Sequence, residues 1–316
     1  MKPFAFVFPG QGSQAVGMLD AWGAHPAVAA ALAEASDALG EDLGRLIKEG
    51  PKEALAMTIN TQPVMLVAGI AAYRAWLAEG GATPAVVAGH SLGEYTALVA
   101  AGALTLAQAA PLVRFRAQAM QDAVPAGTGA MAAILGMEAQ RVIEGCAEAV
   151  RSFGIGTSEV VEAVNFNDPG QTVIAGSKAG VDKACEVLRA NGAKRALSLP
   201  VSAPFHSSLM KAAAEKLRDR LAQTAFAAPQ IPVINNIEVR VETDPDQIRA
   251  ALYEQAFGPV RWVECMQAIK ARGITTIVEC GPGKVLAGLC RRIDPELTGV
   301  ALHDPASLSE VQAVVA

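Results

Sequence analysis

The chain has 316 residues, enough by a prior of roughly one domain per 150 residues for two domains with a sizeable buried core. Hydrophobic residues make up 52%, aromatic residues only 5% and charged residues 18%, so the apolar content comes from small side chains that suit close helix–sheet packing. With 26 basic and 31 acidic residues the net charge is −5, which excludes a generally basic nucleic-acid binder and leaves only local patches to seek phosphate or acidic partners. Mean hydropathy is positive, yet no apolar run approaches the roughly 18 residues that span a bilayer. The N-terminal apolar run is too short for a signal segment, so a cytoplasmic protein with no membrane partner is expected. The five cysteines (Cys146, Cys185, Cys265, Cys280 and Cys290) are odd in number and form no C-x-x-C pair. They read as buried structural thiols, with no disulfide framework and no metal site.

In chain order, Phe4–Phe8 reads as a buried strand stopped by Pro9-Gly10. Helices are predicted over 27–39 and 62–79, a strand over 84–88, and helices over 92–101 and 106–122. This alternation argues for an α/β domain with a mainly parallel sheet. The texture changes at Pro125-Ala-Gly-Thr-Gly. A strand over 130–135, a helix over 138–150, strands over 160–165 and 171–175, a helix over 178–191 and a strand over 194–199 follow. That order, β-α-β-β-α-β, is the ferredoxin-like pattern. It predicts a small α+β domain over 126–203 inserted into a large domain made of 1–125 and 204–316. The second part of the large domain has predicted helices over 208–223, 247–257, 261–272 and 284–292, and strands over 231–234 and 274–279. No element is predicted beyond Arg292.

The strongest chemical signal is Gly89-His90-Ser91-Leu92-Gly93, a G-x-S-x-G between a predicted strand and a predicted helix. That context suits a nucleophile elbow, in which a serine stands on a tight turn and the following helix points its amides at a developing oxyanion. A serine nucleophile needs a base, and there are only four histidines. His90 abuts the serine and His25 precedes Pro26 in a turn-like stretch. His206 follows the return from the small domain, and His303 precedes Asp304 in the chain order of an ordinary hydrolase triad. The residues alone leave His206 and His303 both open. Gly10-Gln11-Gly12 reads either as a tight turn or as a loop whose Gln11 amide joins that of Leu92 in an oxyanion hole. Its match to a dinucleotide fingerprint fails because no second strand ending in an acid follows. Arg114 and Arg116 lie about 200° apart on one helix, so at most one can face a cleft, and a solvated surface site is the simpler reading for both. Asn165–Gln171 reads as a hairpin turn that could line the cleft. Lys194-Arg195 and Arg291-Arg292 are local basic clusters.

Taken together these residues resemble the malonyl-CoA:acyl carrier protein transacylase family. The matching motifs are Phe8-Pro-Gly-Gln-Gly-Ser-Gln14, Thr61-Gln62-Pro63, Gly89-His-Ser-Leu-Gly-Glu-Tyr95, Arg116 ahead of Met120, Asn165-x-Asn-x-Pro-Gly-Gln171, Pro204-Phe-His206-Ser and Gly281-Pro-Gly283. They run in order through nearly the whole chain. The resemblance implies a hydrolase-like large domain with an inserted ferredoxin-like small domain. It implies Ser91 as nucleophile and His206 as its base, oriented by the main-chain carbonyl of Gln255 rather than by an acid. It implies an oxyanion hole from the amides of Gln11 and Leu92, Arg116 as the binder of the malonyl carboxylate, Asn165 near the pantetheine of coenzyme A, and Phe205 as a malonyl-selecting side chain. The implied substrates are malonyl-CoA and acyl carrier protein, with no cofactor, and an acidic carrier makes Lys194, Arg195, Arg291 and Arg292 candidate contacts. Three features depart from the family pattern: the stretch 151–159, Asp168 where a serine is expected, and the tail after His303.

Overall fold

The structure, a computed structural model, describes residues 2–201 and 203–316. Among the described residues nine strands run in chain order: β1 (Phe4–Phe8), β2 (Val86–Gly89), β3 (Gly129–Leu135), β4 (Val161–Asp168), β5 (Gln171–Ser177), β6 (Arg195–Ser198), β7 (Val233–Ile234), β8 (Thr276–Cys280) and β9 (Thr298–Leu302). They form two sheets, and the chain is a mixed α/β protein.

The first sheet has the order β7-β2-β1-β8-β9, and every neighbouring pair is parallel. β1, β2 and β8 are buried at every residue, the mark of a parallel sheet covered on both faces. Alternate side chains of β1 serve the two faces. Phe4, Phe6 and Phe8 pack against the long Thr58–Ala78 helix, while Ala5 and Val7 join Trp262, Met266 and Ile269 on the other side. Phe8 is in register with Gly89, so the loops that leave β1 and β2 emerge side by side.

The second sheet is antiparallel, with the order β4-β5-β3-β6. Helices Ala139–Ser152 and Lys178–Ala190 cover one of its faces through Val142, Cys146, Leu188 and their neighbours. The other face carries Met131, Val173 and Ala175 toward Met120, Phe205 and Met210. A short bridge ties the two regions together: the Phe166 amide donates to the Val260 carbonyl at 3.0 Å, and the Val260 amide to the Val164 carbonyl at 2.8 Å.

The alternation of elements up to Arg292 agrees with the sequence reading, with two differences there and one beyond. The Thr58–Ala78 helix begins four residues before the expected Gln62 and continues through Pro63. Side chains stabilise its first turn: Asn60 Nδ2 donates to the Ala54 carbonyl, and Thr61 Oγ1 to those of Leu55 and Met57. Short helices over Leu43–Glu49 and Lys52–Ala56 precede it. Finally, β9 and the helix Pro305–Val315 extend the fold past the last expected element. β9 is an edge strand with only Leu302 fully buried, so it lacks the apolar run that marks the central strands. All five cysteines are buried and free. No helix among the described residues is long and apolar enough to cross a membrane.

Candidate active site

The β2 strand ends at Gly89, and the chain turns at Ser91 into the helix Gly93–Ala100. Ser91 has φ 54°, in the left-handed region that a side chain rarely adopts. The turn is so tight that a Cβ on Gly89 would stand 1.8 Å from the carbonyl carbon of Gly93. The neighbouring β1 loop is pressed equally close, since a Cβ on Gly10 would meet the His90 carbonyl oxygen at 2.6 Å. Two glycines therefore allow the loops to touch, and this contact brings Gln11 and Leu92 to the same cavity as Ser91.

The structure brings Ser91 and His206 together, with Oγ and Nε2 2.7 Å apart. His206 Nδ1 lies 2.8 Å from the main-chain oxygen of Gln255, which can only accept. Nδ1 therefore carries the proton, and Nε2 is left to accept from the serine hydroxyl. Burial, and after it the nearby Arg116 charge, holds the His206 imidazole down at about 3. The ring is neutral at physiological pH. His206 also has a positive φ, 66°.

Arg116 is fully buried, contrary to the surface reading from spacing alone. Its Nη1 donates to Gln62 Oε1 at 2.8 Å, and its Nη2 donates to Gln255 Oε1 at 3.0 Å and to Ser91 Oγ at 3.2 Å. The guanidinium also stands over the Tyr95 ring, 5.4 Å from its centre. Arg114 points the other way, as the helical spacing requires, and pairs with Glu41 at 2.5 Å. Gln62 reaches Arg116 from the second turn of the Thr58–Ala78 helix.

Behind these groups lies a brace that motif reading passed over. Asn236 Oδ1 accepts from the Ser91 amide at 2.8 Å, and its Nδ2 donates to the Gly89 carbonyl at 2.8 Å. Gln255 Nε2 donates to the Ser91 carbonyl at 3.0 Å and to Glu94 Oε2 at 2.9 Å. Glu94 Oε2 also accepts from the Asn236 amide at 2.8 Å. Burial raises the Glu94 carboxyl to about 7, against the pull of these hydrogen bonds and of Arg116. Glu94 is the residue after Gly93, and in sequence it reads as an ordinary acid in the first turn of a helix.

The cavity over Ser91 has a volume of about 110 Å³. Met120, Met131, Leu199, Val201 and Phe205 supply its apolar lining, and Asn165 stands at its edge. A second cavity of about 300 Å³ adjoins it through Gln11, His90, Asn165 and Leu199 and runs along Gly12, Ser13 and Val285. Asn165 follows an irregularity in the pairing of β4 with β5, and its buried Oδ1 has no hydrogen-bond partner among the described residues. His90 lines both cavities, and its Nε2 meets Asn167 Oδ1 at 2.8 Å. Asp168, in the place of the expected serine, pairs with Arg292 at 2.7 Å. Arg292 is thus partly engaged, while Lys194, Arg195 and Arg291 are exposed. His303 does not reach the cavity. It lies beside Asp304, whose side chain caps the helix Pro305–Val315 by accepting from the Ser307 amide at 2.7 Å.

An acyl transferase domain family model matches residues 5–293. The malonyl CoA-acyl carrier protein transacylase of Escherichia coli (strain K12) is 51% identical over 310 residues, 98% of each chain. The chain belongs to the malonyl CoA-acyl carrier protein transacylases. This transacylase is similar along its whole length to the acyl-carrier-protein S-malonyltransferase of Burkholderia pseudomallei 1710b. The two are 61% identical, the match covers 99% of this chain and 100% of that one, and the TM-score is 0.95. A malonyl-transacylase solved in complex with its type II PKS acyl-carrier protein is 46% identical, with 99% and 100% of the two chains covered and a TM-score of 0.95. The acyltransferase assignment made from the motifs holds.

Proposed function

We propose that this chain moves a malonyl group from malonyl-CoA to the phosphopantetheine thiol of acyl carrier protein through a malonyl ester on Ser91. The observation that carries the reading is the 2.7 Å Ser91–His206 contact, oriented by the Gln255 carbonyl and set beside a buried arginine. Ser91 Oγ attacks the thioester carbonyl as its proton passes to His206 Nε2. The amides of Gln11 and Leu92 receive the developing oxyanion. The intermediate collapses, the C–S bond breaks, and the departing CoA sulfur takes the proton from Nε2. The carrier thiol then repeats the sequence in reverse, giving its proton to His206 and restoring the Ser91 hydroxyl. No cofactor enters either half.

Arg116 binds the malonyl carboxylate as a fork. Its charge holds the imidazole pKa down in the empty site, so pairing with a carboxylate raises His206 as a base at the moment of reaction. Phe205 and the methionines keep water from the ester, and the Phe205 ring restricts an α-branched acyl group. Asn165, with its unpaired amide oxygen, takes a polar group of the pantetheine arm in the adjoining cavity. The large domain (1–125 and 204–316) is hydrolase-like and the small one (126–203) ferredoxin-like, a division supported by the separate parallel and antiparallel sheets. The exposed Lys194, Arg195 and Arg291 are the contacts for an acidic carrier in the cytoplasm.

The test is mass spectrometry of the chain after brief exposure to malonyl-CoA. One malonyl group on Ser91, one CoA released, and loss of the adduct on adding acyl carrier protein are expected. An adduct elsewhere, or carrier malonylation with no adduct on the chain, contradicts the reading.

A further inference from the structure

Arg116 is a buried cation with no carboxylate in direct contact: its hydrogen bonds go to two amide oxygens and a hydroxyl. A buried charge left unbalanced is costly, so the nearest acid matters. That acid is Glu94, one residue removed. The Gln255 side chain joins the two, taking a hydrogen bond from Arg116 on its oxygen and giving one to Glu94 from its nitrogen. The same carboxylate holds the Asn236 amide, and Asn236 holds the Ser91 amide.

We infer that Glu94 is the resident counter-carboxylate of Arg116, and that it takes up one proton from solvent when the malonyl carboxylate of the substrate replaces it in that role. The inference rests on the reading of Arg116 as the carboxylate binder. In the empty site one cation serves one anion. Once malonyl is bound, two carboxylates share one guanidinium, and the one with the indirect contact is neutralised.

The surroundings of Glu94 favour this outcome. Arg116, on the Leu106–Gln121 helix, is the one cation facing it among the described residues. The other titratable neighbours are Tyr95 on its own helix, Cys265 on the Trp262–Lys270 helix, His206 beyond Gln255, and Glu242. None of these supplies positive charge at neutral pH. Burial already lifts the carboxyl to about 7 in the empty site, so little further bias is needed. A small cavity of about 10 Å³ beside Glu94 is lined by Asn235 and Glu242 together with the apolar Leu98, Val233, Ile248 and Ala251, and Glu242 is itself half-buried at the surface. Asn235 Nδ2 is buried with no partner among the described residues.

The experiment uses the Ser91→Ala variant, which binds substrate without reacting. Malonyl-CoA and acetyl-CoA are titrated calorimetrically at pH 8 in two buffers of different ionisation heat. Acetyl-CoA carries the same phosphates and is the control for their titration. Malonyl-CoA should bind more tightly and take up close to one proton per site, while acetyl-CoA takes up none. Malonyl affinity should fall by up to tenfold per pH unit above pH 7, because the bound state holds the extra proton. In Ser91→Ala/Glu94→Gln the malonyl-specific uptake should vanish and the affinity should become flat with pH. Tighter malonyl binding without proton uptake overturns the inference and leaves Arg116 as the binder. Uptake that persists without Glu94 moves the proton to His206 and also overturns it. Equal affinity for the two thioesters overturns the Arg116 reading and the inference with it.

Discussion

On the floor of the cavity, where β1 and β2 end, Ser91, Asn236, Gln255 and Glu94 are tied by buried hydrogen bonds of 2.8 to 3.0 Å. The wall contributed by the antiparallel sheet is joined to that floor more sparsely. It is held by the apolar packing of Met131, Val173 and Ala175 on Met120, Phe205 and Met210, and its polar ties are the Val260 bridge, the His90–Asn167 contact, the Ser208 amide donating to Glu162 at 2.7 Å and an ion pair whose arginine side chain is 57% exposed. The floor is thus fixed by a polar network around the nucleophile, whereas the wall meets it through apolar packing and fewer polar ties. Substitutions on the floor should change chemistry, and substitutions on the wall should change binding and rigidity.

The largest effect is expected for Ser91→Ala. It removes one oxygen and leaves the Asn236 contact to the main chain, so the fold should persist while transfer falls on the order of 10⁴- to 10⁶-fold. Turnover within tenfold of the parent, measured by CoA release, would remove Ser91 from the chemistry. Next is Arg116→Ala. The malonyl-over-acetyl preference, read as the ratio of kcat/KM values, should fall roughly 100-fold, because a buried charge pair is worth several kcal/mol. An unchanged ratio would transfer selectivity to the wall.

The floor also contains a second buried acid that sharpens the comparison. Glu279 on β8 accepts from the Ala287 amide at 2.9 Å, at the start of the Val285–Ile293 helix, and burial lifts it from 4.5 to about 7. A folded pKa above the unfolded one means that the folded state binds more protons between these values. The Glu279 contribution to stability is therefore present below pH 4.5 and is lost as pH rises to 7. Glu279→Gln should gain on the parent by about 3 kcal/mol between pH 4.5 and 8 in urea melts, from a shift of roughly two and a half pKa units. Its effect on malonyl selectivity should be nil, since its partners are helix amides and not Gln255. A loss of selectivity would make the two acids one network. The smallest effect is expected on the wall: Asp168→Ala should cost about 1 to 2 kcal/mol, chiefly from the lost Gly170 amide hydrogen bond to this buried carboxylate, with the ion-pair share small and screened by salt because Arg292 is mostly solvated. A tenfold fall in kcat there would abolish the distinction between floor and wall.

Much of this architecture is legible in the sequence. Central strands such as Phe4–Phe8 and Thr276–Cys280 are short apolar runs bounded by turn residues, and the glycines around Ser91 mark a close approach of backbones. The choice between His206 and His303 is not legible from spacing, because it depends on a main-chain carbonyl 49 residues away from His206. Arg116 reads as solvated until Gln62 and Gln255, from two distant helices, are seen to enclose it. Glu94 and Asn236 look like a helix-start acid and a turn residue, which they also are. Their further role comes from hydrogen bonds spanning more than 140 residues. The edge strand β9 and the last helix escape notice because half-buried residues leave a faint pattern.

Ser91 and His206 share one further property: both hold a backbone conformation that glycine adopts freely and a side chain adopts at a cost of roughly 1 to 3 kcal/mol. The two reacting residues therefore hold two of the three described non-glycine positions, Val239 being the third, where glycine would relieve the chain of that cost. Selection for thermal robustness alone would favour glycine at both positions and would end in a sturdier, inert protein. Part of the molecule's folding energy is held back at the seat of its chemistry, and a stabilisation campaign on this scaffold has to leave these two positions out of its library.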